Sequence, residues 1–411
     1  MEASLSDIDK RLVTFLSDPA ARRDPYPFYR DLREADPVHR GPDGTWWITN
    51  YEGCLHLIRD RRWTHENPAT TNATVPMGRA RTMVSGMILF RDPPTHTRLR
   101  TLLGRNFMRI AAEEKREQFR EHIHSILKDA AAAGTVDFRE QIARLIPIYM
   151  ICDALGLPQE RYEDLVRWAE QYASMLSVDV TPEMESAADQ GFADFVEYLA
   201  PIVDEKRRSP QADILSTWIE AERAGNLSSD EIASFCLFTF TGGQTTTTML
   251  MTNALYTLMH HPDQWQRLIA DQSLKETAVE EILRFESAGR AFVPRWARED
   301  IELCGKRIPA GEMVIGLESA ANRDPKRFPD PETFDIGRKD NPHLAFGGGL
   351  HVCPGQFVAR VETQELLAGI AEHYPATKIE GPSEWIPDWI LRGLDKLPVR
   401  LLKGEPATRV A

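Results

Sequence analysis

The segment FGGGLHVCPG, residues 346–355, joins three glycines to a cysteine that directly precedes a helical stretch. Glycine has no Cβ, so this backbone can approach a flat and bulky group closely. Cys353 is followed by QFVARVETQELLAGIAEHY, whose periodicity is helical, and it therefore lies just before a helix N-terminus. Free N–H groups and the helix dipole at such a terminus favour a thiolate over a thiol. We expect a thiolate able to bind iron, although a tight turn with a buried cysteine gives the same pattern.

The composition is that of a globular protein and excludes several classes of function. The chain has 411 residues, of which 42% are hydrophobic and 27% are charged. Its net charge of −13 disfavours nucleic acid as a partner. The N-terminus, MEASLSDIDKRLVTF, is polar and acidic, and no uncharged apolar run reaches the length of a membrane span. We therefore expect a cytoplasmic protein. Because no linker or repeat interrupts the chain, we also expect one domain over residues 1–411.

Helical periodicity dominates the sequence. The last third adds short β segments, such as IELCGKRIPAG and EMVIGLE, and residues 63–92 are expected to form a long irregular loop. These patterns predict a mostly α fold with a small β portion. The predicted helices cover residues 93–111, 113–134, 140–156, 158–177, 184–207, 210–224, 228–260 and 262–287, with one more after the cysteine.

Short polar motifs elsewhere in the chain could also carry function. Glu281 and Arg284 in EEILRF share one helix face, and His96 and Arg100 stand at i and i+4 in DPPTHTRLRTLLGRNF. Arg338 ends the meander NRDPKRFPDPETFDIGR. Taken alone, the first pair is typical of a surface ion pair and the second of a solvated helix face.

Together, these motifs resemble the cytochrome P450 superfamily in their order and spacing. The resemblance runs from DPYPFYRDLR to RGLDKLPVRL, which is essentially the whole chain, and it is closest to the bacterial enzymes. It implies the haem-thiolate monooxygenase fold, a helix-rich triangular prism. In that fold the haem lies between the longest helix and the helix after the cysteine.

The resemblance also implies roles for individual residues. Cys353 would be the iron ligand of a haem b cofactor, and Phe346 would pack beside its thiolate. Four side chains would bind the two haem propionates, and three would form a buried structural network that is not catalytic. The propionate residues would be His96, Arg100, Arg295 and His351, and the network would be Glu281, Arg284 and Arg338.

The longest predicted helix departs from the family pattern at FTFTGGQTTTT, residues 238–248. Gly242 and Gly243 would open a bulge for oxygen and substrate, and Thr246 would take the place of the alcohol that helps to deliver protons. Thr245 then stands where the family has an acid. In the frame one residue earlier, Gln244 takes the acid position and Thr245 the alcohol position. In either frame the carboxylate is absent.

We expect a monooxygenase that hydroxylates or epoxidises an organic molecule, a secondary-metabolite intermediate with an apolar body, either free or bound to a carrier protein. Two alternatives remain: a haem-thiolate enzyme of oxidative coupling, ring closure or isomerisation, and a haem sensor without turnover. The protein is expected to be a monomer that receives electrons from a ferredoxin or flavodoxin with its NAD(P)H reductase, at a basic patch. The substrate-binding residues would be Gly242, Gly243, Leu89, Phe292, Val293 and Ile390, and the patch would be Arg105, Arg109 and Arg360.

Overall fold

The computed structural model describes residues 5–67, 78–104, 109–176 and 180–404. Helices dominate these residues, as the sequence predicts. They are α1 Asp7–Ser17, α2 Tyr26–Ala35, α3 Tyr51–Arg59, α4 Arg79–Ser85, α5 Thr95–Gly104, α6 Arg109–Glu114, α7 Arg116–Ala133, α8 Leu145–Leu155, α9 Tyr162–Ala173, α10 Pro182–Arg208, α11 Ile214–Arg223, α12 Ser229–His260, α13 Pro262–Ala270, α14 Lys275–Phe285, α15 Glu318–Ala321 and α16 Gln356–His373.

Short strands form a small β portion beside the helices. One sheet has the order β1-β2-β8-β5-β3, in which β2 and β8 run parallel. The hairpin β6-β7, the pair β10-β11 and the sheet β4-β12-β9 are antiparallel. The strands are β1 Val38–Arg40, β2 Trp46–Ile48, β3 Trp63–Thr64, β4 Thr135–Asp137, β5 Arg295–Ala297, β6 Ile301–Leu303, β7 Lys306–Ile308, β8 Met313–Gly316, β9 Lys378–Ile379, β10 Glu384–Trp385, β11 Leu394–Lys396 and β12 Pro398–Arg400.

The expectation of an irregular loop over residues 63–92 is wrong for its second half. Helix α4 forms there because two carboxylates of α10 accept its free N-terminal N–H groups. The amide of Gly78 donates to Glu185 at 3.0 Å, and that of Ala80 donates to Asp189 at 2.6 Å. These partners lie more than a hundred residues away in sequence. A tertiary contact, rather than local propensity, therefore specifies the helix.

Of the predicted helix 93–111, the structure describes α5 and the first residues of α6, and residues 105–108 lie outside the described residues. The predicted helix 262–287 is divided into α13 and α14. The break falls at Asp271, whose carboxylate accepts a hydrogen bond from the amide of Ser273 at 2.9 Å. Such a side-chain turn competes with helix continuation.

The longest helix, α12, passes through the centre of the molecule. A capping box starts it: the Ser228 hydroxyl accepts from the amide of Glu231 at 3.1 Å, and the Glu231 carboxylate accepts from the amide of Ser228 at 2.9 Å. The helix is continuous through Gly242 and Gly243, so the expected bulge is not present. A Cβ on Gly243 would lie 3.0 Å from Ile151 of α8, whereas one on Gly242 would meet no atom of the described residues within 4 Å. Gly243 thus serves helix packing, and Gly242 leaves open space beside the helix.

The cysteine loop is folded tightly against the end of α3. Gly349 has a φ of +63°, and a Cβ there would lie 2.4 Å from the carbonyl oxygen of Ile58. The amide of Cys353 donates to the carbonyl of Phe346 at 2.9 Å and closes the loop. Only glycine satisfies both the left-handed backbone and the close approach at position 349.

Gly349→Ala and Gly347→Ala are a matched pair that tests this packing. Both glycines have a φ of +63°, which costs alanine about 1–2 kcal/mol. At position 347 the nearest atom to the new methyl is 3.9 Å away, whereas at position 349 the clash with Ile58 should add about 1–3 kcal/mol. Urea unfolding should therefore show the greater loss for Gly349→Ala. An equal or greater loss for Gly347→Ala would contradict the account.

Candidate functional site

Three imidazole rings stack together beside the cysteine loop. His65 follows β3, His96 lies in the first turn of α5, and His351 belongs to the loop itself. The ring centroids of His65 and His351 are 3.6 Å apart, and those of His96 and His351 are 4.2 Å apart. His65 and His96 are only 5% and 2% exposed. The fold thus buries three titratable rings in one cluster.

Several polar atoms of this cluster lack hydrogen-bond partners among the described residues. Arg295 of β5 lies close by and donates from Nη1 to the carbonyl of Leu57. An unpaired buried donor costs about 1–3 kcal/mol, so these groups call for acceptors that the described residues do not supply. The buried nitrogens that find no hydrogen-bond partner among the described residues are Nδ1 and Nε2 of His65 and of His96, Nε2 of His351 and Nε of Arg295.

Burial keeps the three rings neutral. It lowers the pKa of His65 to about 2 and that of His351 to about 3, helped by the neighbouring cations, and it also lowers the pKa of His96. The pKa of Arg295 falls to about 10 through burial, which leaves the guanidinium charged at neutral pH. Arg100, on α5 with His96, adds a second positive charge. The cluster therefore combines two cations with three neutral N–H donors, a set that suits carboxylates.

Cys353 lies near this cluster, and its environment corrects one sequence expectation. Burial raises the pKa of its thiol, against the opposing effects of the Gly355 amide and the charges of Arg100 and Arg360. The helix terminus alone therefore does not produce a thiolate. A bound metal cation would supply the missing charge, because a coordinating thiol is deprotonated outright. Phe346 packs beside the loop with the Arg360 guanidinium 4.4 Å from its ring centroid.

The structure brings together the three residues expected to form a buried network. The Glu281 carboxylate accepts two hydrogen bonds from Arg284, both at 2.8 Å, and one from Arg338 at 3.2 Å. Arg284 also donates to the carbonyls of Asn322 and Pro331. The Glu281 and Arg284 side chains are both 0% exposed. Helix α14 is thereby tied to the meander that leads into the cysteine loop.

A second carboxylate anchors α16, the helix after the cysteine. Glu365 has a side chain that is 1% exposed, and it pairs with Arg116 at 2.6 Å and with Arg120 and Lys275 at 2.8 Å. Although burial alone would raise its pKa, hydrogen bonds from these three cations lower it to about 2. Helices α7, α14 and α16 therefore share one charged junction. No motif in the sequence marks Glu365 for this role.

The polar stretch of α12 has a defined set of hydrogen bonds. Thr246 donates from Oγ1 to the carbonyl of Gly242, one helical turn earlier, at 2.6 Å. Thr245 donates to Oε1 of Gln244 at 3.1 Å, and Nε2 of Gln244 donates to Thr248 at 3.3 Å. The Thr246–Gly242 bond fits the frame in which Thr246 is the alcohol and Thr245 replaces the acid. The groups along this stretch are neutral.

The expected substrate residues divide into two groups. Leu89, Val293 and Ile390 are partly exposed and belong to no hydrophobic core cluster of the described residues. Phe292 is 9% exposed and packs in the core of the five-stranded sheet, where its ring meets Gly316. The structure therefore places Phe292 with the sheet rather than at an open surface. Gly243, which packs on α8, also lies away from the open space.

A helix-rich fold, a glycine-rich cysteine loop and a nearby buried set of nitrogen donors suited to carboxylates are typical of haem-thiolate enzymes. The family model described as Cytochrome P450 matches residues 64–388. The chain belongs to the cytochrome P450 family, and its relatives are monooxygenases. In the described part of the chain, no helix has both the length and the apolarity that a membrane crossing requires.

Known proteins match over nearly the whole chain. Cytochrome P450 monooxygenase PikC of Streptomyces venezuelae is 34% identical over 94% of this chain and 93% of its own. Mycinamicin IV hydroxylase/epoxidase of Micromonospora griseorubida is 35% identical over 90% and 94%. Among solved structures, CalO2 superposes with a TM-score of 0.89 at 29% identity, covering 95% of this chain and 100% of that one. The mostly α fold with a small β portion is thereby confirmed.

The residues present fit the haem that the family implies. A haem carries two carboxylates, and the unpartnered nitrogens of the histidine cluster, together with two arginines, are the donors that two carboxylates require. Cys353 offers one sulfur ligand close to Arg100, which is one of these two arginines. His96, Arg100, Arg295 and His351 come together as the sequence suggests. His65 lies in the same cluster, although no sequence motif predicts its position.

Removal of Arg284 should destabilise the protein strongly. Arg284→Leu leaves the Glu281 carboxylate buried with half of its ion pairs gone, a change that costs about 3–5 kcal/mol. Arg307→Leu is the control, since its partner Asp300 and Arg307 itself are 44% and 69% exposed, and such pairs contribute about 0–1 kcal/mol. Urea unfolding at neutral pH compares the two variants. Similar losses in both would contradict a buried structural network.

Glu365→Gln should show a stability loss that depends on pH. The pKa of Glu365 is lowered from 4.5 to about 2 in the folded protein. At any pH above its unfolded-state pKa, the charged carboxylate therefore stabilises the fold by roughly 3 kcal/mol. That contribution is lost as pH falls from 4.5 towards 2. Urea unfolding of wild type and variant should thus give curves that differ at pH 7 and converge in acid. The exposed Glu384, as Glu384→Gln, is the control, and a pH-independent difference for Glu365→Gln would contradict the assignment.

Proposed function

We propose that the chain is a single haem-thiolate monooxygenase domain, residues 1–411, with haem b as its cofactor. It activates dioxygen with electrons from a separate protein and hydroxylates or epoxidises an organic small molecule, a secondary-metabolite intermediate. The observation that carries the proposal is the position of Cys353 beside a buried cluster of donors that lack acceptors. Relatives named for hydroxylation and epoxidation, such as Mycinamicin IV hydroxylase/epoxidase, support the reaction class.

The chain's own residues would hold and tune the cofactor. Cys353 would be the iron ligand, and His96, Arg100, Arg295 and His351 would bind the propionates. When bound, a haem with a thiolate ligand supplies an electron-rich iron that favours cleavage of the O–O bond. Phe346, which carries the carbonyl that accepts from the Cys353 amide, would fix the sulfur and keep water from it.

Proton delivery is the step at which this chain departs from its family. Thr246 would hold a proton at its hydroxyl beside the open space at Gly242, but Thr245 and Gln244 cannot act as acids near neutral pH. We propose that ordered water or a polar group of the substrate supplies the proton. An enzyme of oxidative coupling, ring closure or isomerisation is the second candidate, because this stretch of α12 lacks the acid that the family uses. A haem sensor is a weaker third, because Thr246 and the Gly242 gap are retained.

The substrate is proposed to have an apolar body. Leu89, Val293 and Ile390 support this, because they are partly exposed apolar side chains that belong to no hydrophobic core cluster of the described residues. Structurally similar proteins have been solved with testosterone, with myristic acid and with a fatty acid on an acyl carrier protein, each at a TM-score of 0.83 or higher. Both a free and a carrier-bound substrate are therefore proposed.

A ferredoxin or flavodoxin with its NAD(P)H reductase is the proposed electron source, and we propose a cytoplasmic monomer that does not bind nucleic acid. Of the expected basic patch, Arg105 lies outside the described residues. Arg360 is already paired with Glu280, at 2.6 and 3.0 Å. Arg109 is exposed at the start of α6, so it is the residue best able to meet an acidic partner.

Substitutions on α12 test the proton-delivery proposal. Thr246→Ala should lower the product formed per reduced nicotinamide by about tenfold or more, and Thr245→Glu should raise it, because proton transfer by a positioned group contributes on the order of 10²–10⁴-fold. Thr239→Ala is the matched control, since its hydroxyl also donates four residues back, to Phe235 at 2.8 Å, away from the glycines. The substrate is the compound that shifts the spin state in a screen of fatty acids and steroids.

Two outcomes would count against that proposal. Equal coupling in wild type and Thr246→Ala would mean that the hydroxyl delivers no proton. Tight coupling of the wild type on a purely apolar substrate would exclude assistance by the substrate.

Charge reversal at Arg109 tests the docking surface. Arg109→Glu should slow reduction by an acidic ferredoxin at low salt, and the difference should shrink as ionic strength rises. Arg307→Glu, on the distant β6-β7 hairpin, is the control. Stopped-flow reduction measures both variants, and equal rates for Arg109→Glu and wild type at low salt would exclude Arg109 from the docking surface.

A further inference from the structure

His65 is the member of the imidazole cluster that no sequence motif predicts. Its ring stacks on His351 with an interplanar angle of 22°. Both of its nitrogens are buried without a well-formed hydrogen bond among the described residues, although the backbone of Leu89 lies near enough to act on the ring. An apolar ring would fill the same space without leaving two polar atoms unpaired. The position therefore calls for an acceptor that the described residues do not supply.

The backbone around His65 is held in place. The hydroxyl of Thr64 donates to the Asp92 carboxylate, and the amide of His65 donates to the same carboxylate at 3.4 Å. Arg298 pairs with Asp92 from the sheet side at 2.5 Å. His65 thus occupies a fixed place in the cluster, between the strand β3 and the cysteine loop.

We propose that His65 is a positioning residue for the haem, donating an N–H to a propionate beside His96, Arg100, Arg295 and His351. The proposal rests on the haem binding proposed above. The shared stack explains why a third histidine is placed here: the ring of His65 aligns the ring of His351, and both offer neutral donors next to two cations. Water is the other acceptor that this site could hold, and the experiment separates the two.

The role of His65 predicts an effect on the haem potential. A propionate that accepts one more hydrogen bond is less negative towards the iron. Ferric haem carries one more positive charge than ferrous haem, so an under-neutralised propionate stabilises the ferric form. Loss of the His65 donor should therefore make the midpoint potential more negative and weaken haem retention.

Four variants of the haem-loaded protein test the proposal. His65→Phe keeps a stacking ring but has no N–H, His65→Asn and His65→Gln keep an N–H near Nδ1 and near Nε2, and His122→Gln is the control. His122 also has a buried, unpartnered Nε2 and a ring contact, to Tyr149, but lies outside the cluster. Spectroelectrochemical titration gives the midpoint potential, and transfer of haem to apomyoglobin gives its rate of loss.

His65→Phe should show a more negative potential and haem loss that is faster by about tenfold, the effect of one hydrogen bond to a charged group. One of the two amide variants should restore both values towards wild type, and His122→Gln should match wild type. Wild-type behaviour in His65→Phe would overturn the proposal and would indicate that His65 meets only water. Equal losses in His65→Phe and in both amide variants would also overturn it. A wild-type protein that retains no haem would instead refute the proposed function.

Discussion

The protein packed around the sulfur of Cys353 desolvates its thiol, although the residue as a whole is only partly buried, and the rest of the structure depends on this constraint. Burial raises the pKa of the thiol, so the protein must hold the sulfur ready for a cation that supplies the compensating charge. The loop that carries it is closed by its own backbone hydrogen bond to Phe346 and is pressed against α3 at Gly349. Glu365 anchors the helix that follows, and Glu281 anchors the meander that precedes it.

The histidine and arginine cluster poses the complementary problem. Its buried histidine and arginine nitrogens are hydrogen-bond donors or carry positive charge, and several of them have no acceptor among the described residues. A single ligand that brings a metal cation to Cys353 and two carboxylates to the cluster meets both needs at once. This match links the fold to its function. The helix after Cys353 packs against α12, and β3 and β5, which carry or precede members of the cluster, belong to the five-stranded sheet.

The sequence predicted those parts of the structure that depend on local pattern or on close motif spacing. Most helices and the small β portion belong to this group. The convergence of His96, Arg100, Arg295 and His351 followed only from the resemblance to the P450 family, because these residues lie far apart in the sequence. Sequence pattern alone could not predict parts that depend on contacts between distant segments, such as helix α4, which needs carboxylates from α10. His65 is similar, because only the folded chain reveals that a ring after β3 stacks on His351. Gly243 packs against α8 and Phe292 packs within the core of the five-stranded sheet. Their assignment to the substrate came from the family resemblance and stays a prediction.

The carbon monoxide difference spectrum of the reduced, haem-loaded protein tests the central claim most directly, since the claim is that Cys353 binds the iron as a thiolate. Wild type should show the long-wavelength Soret band that thiolate ligation gives, and Cys353→Ser should lose it while the fold, followed by circular dichroism, is retained. A wild-type band typical of imidazole ligation, or a thiolate band that persists in Cys353→Ser, would contradict the account.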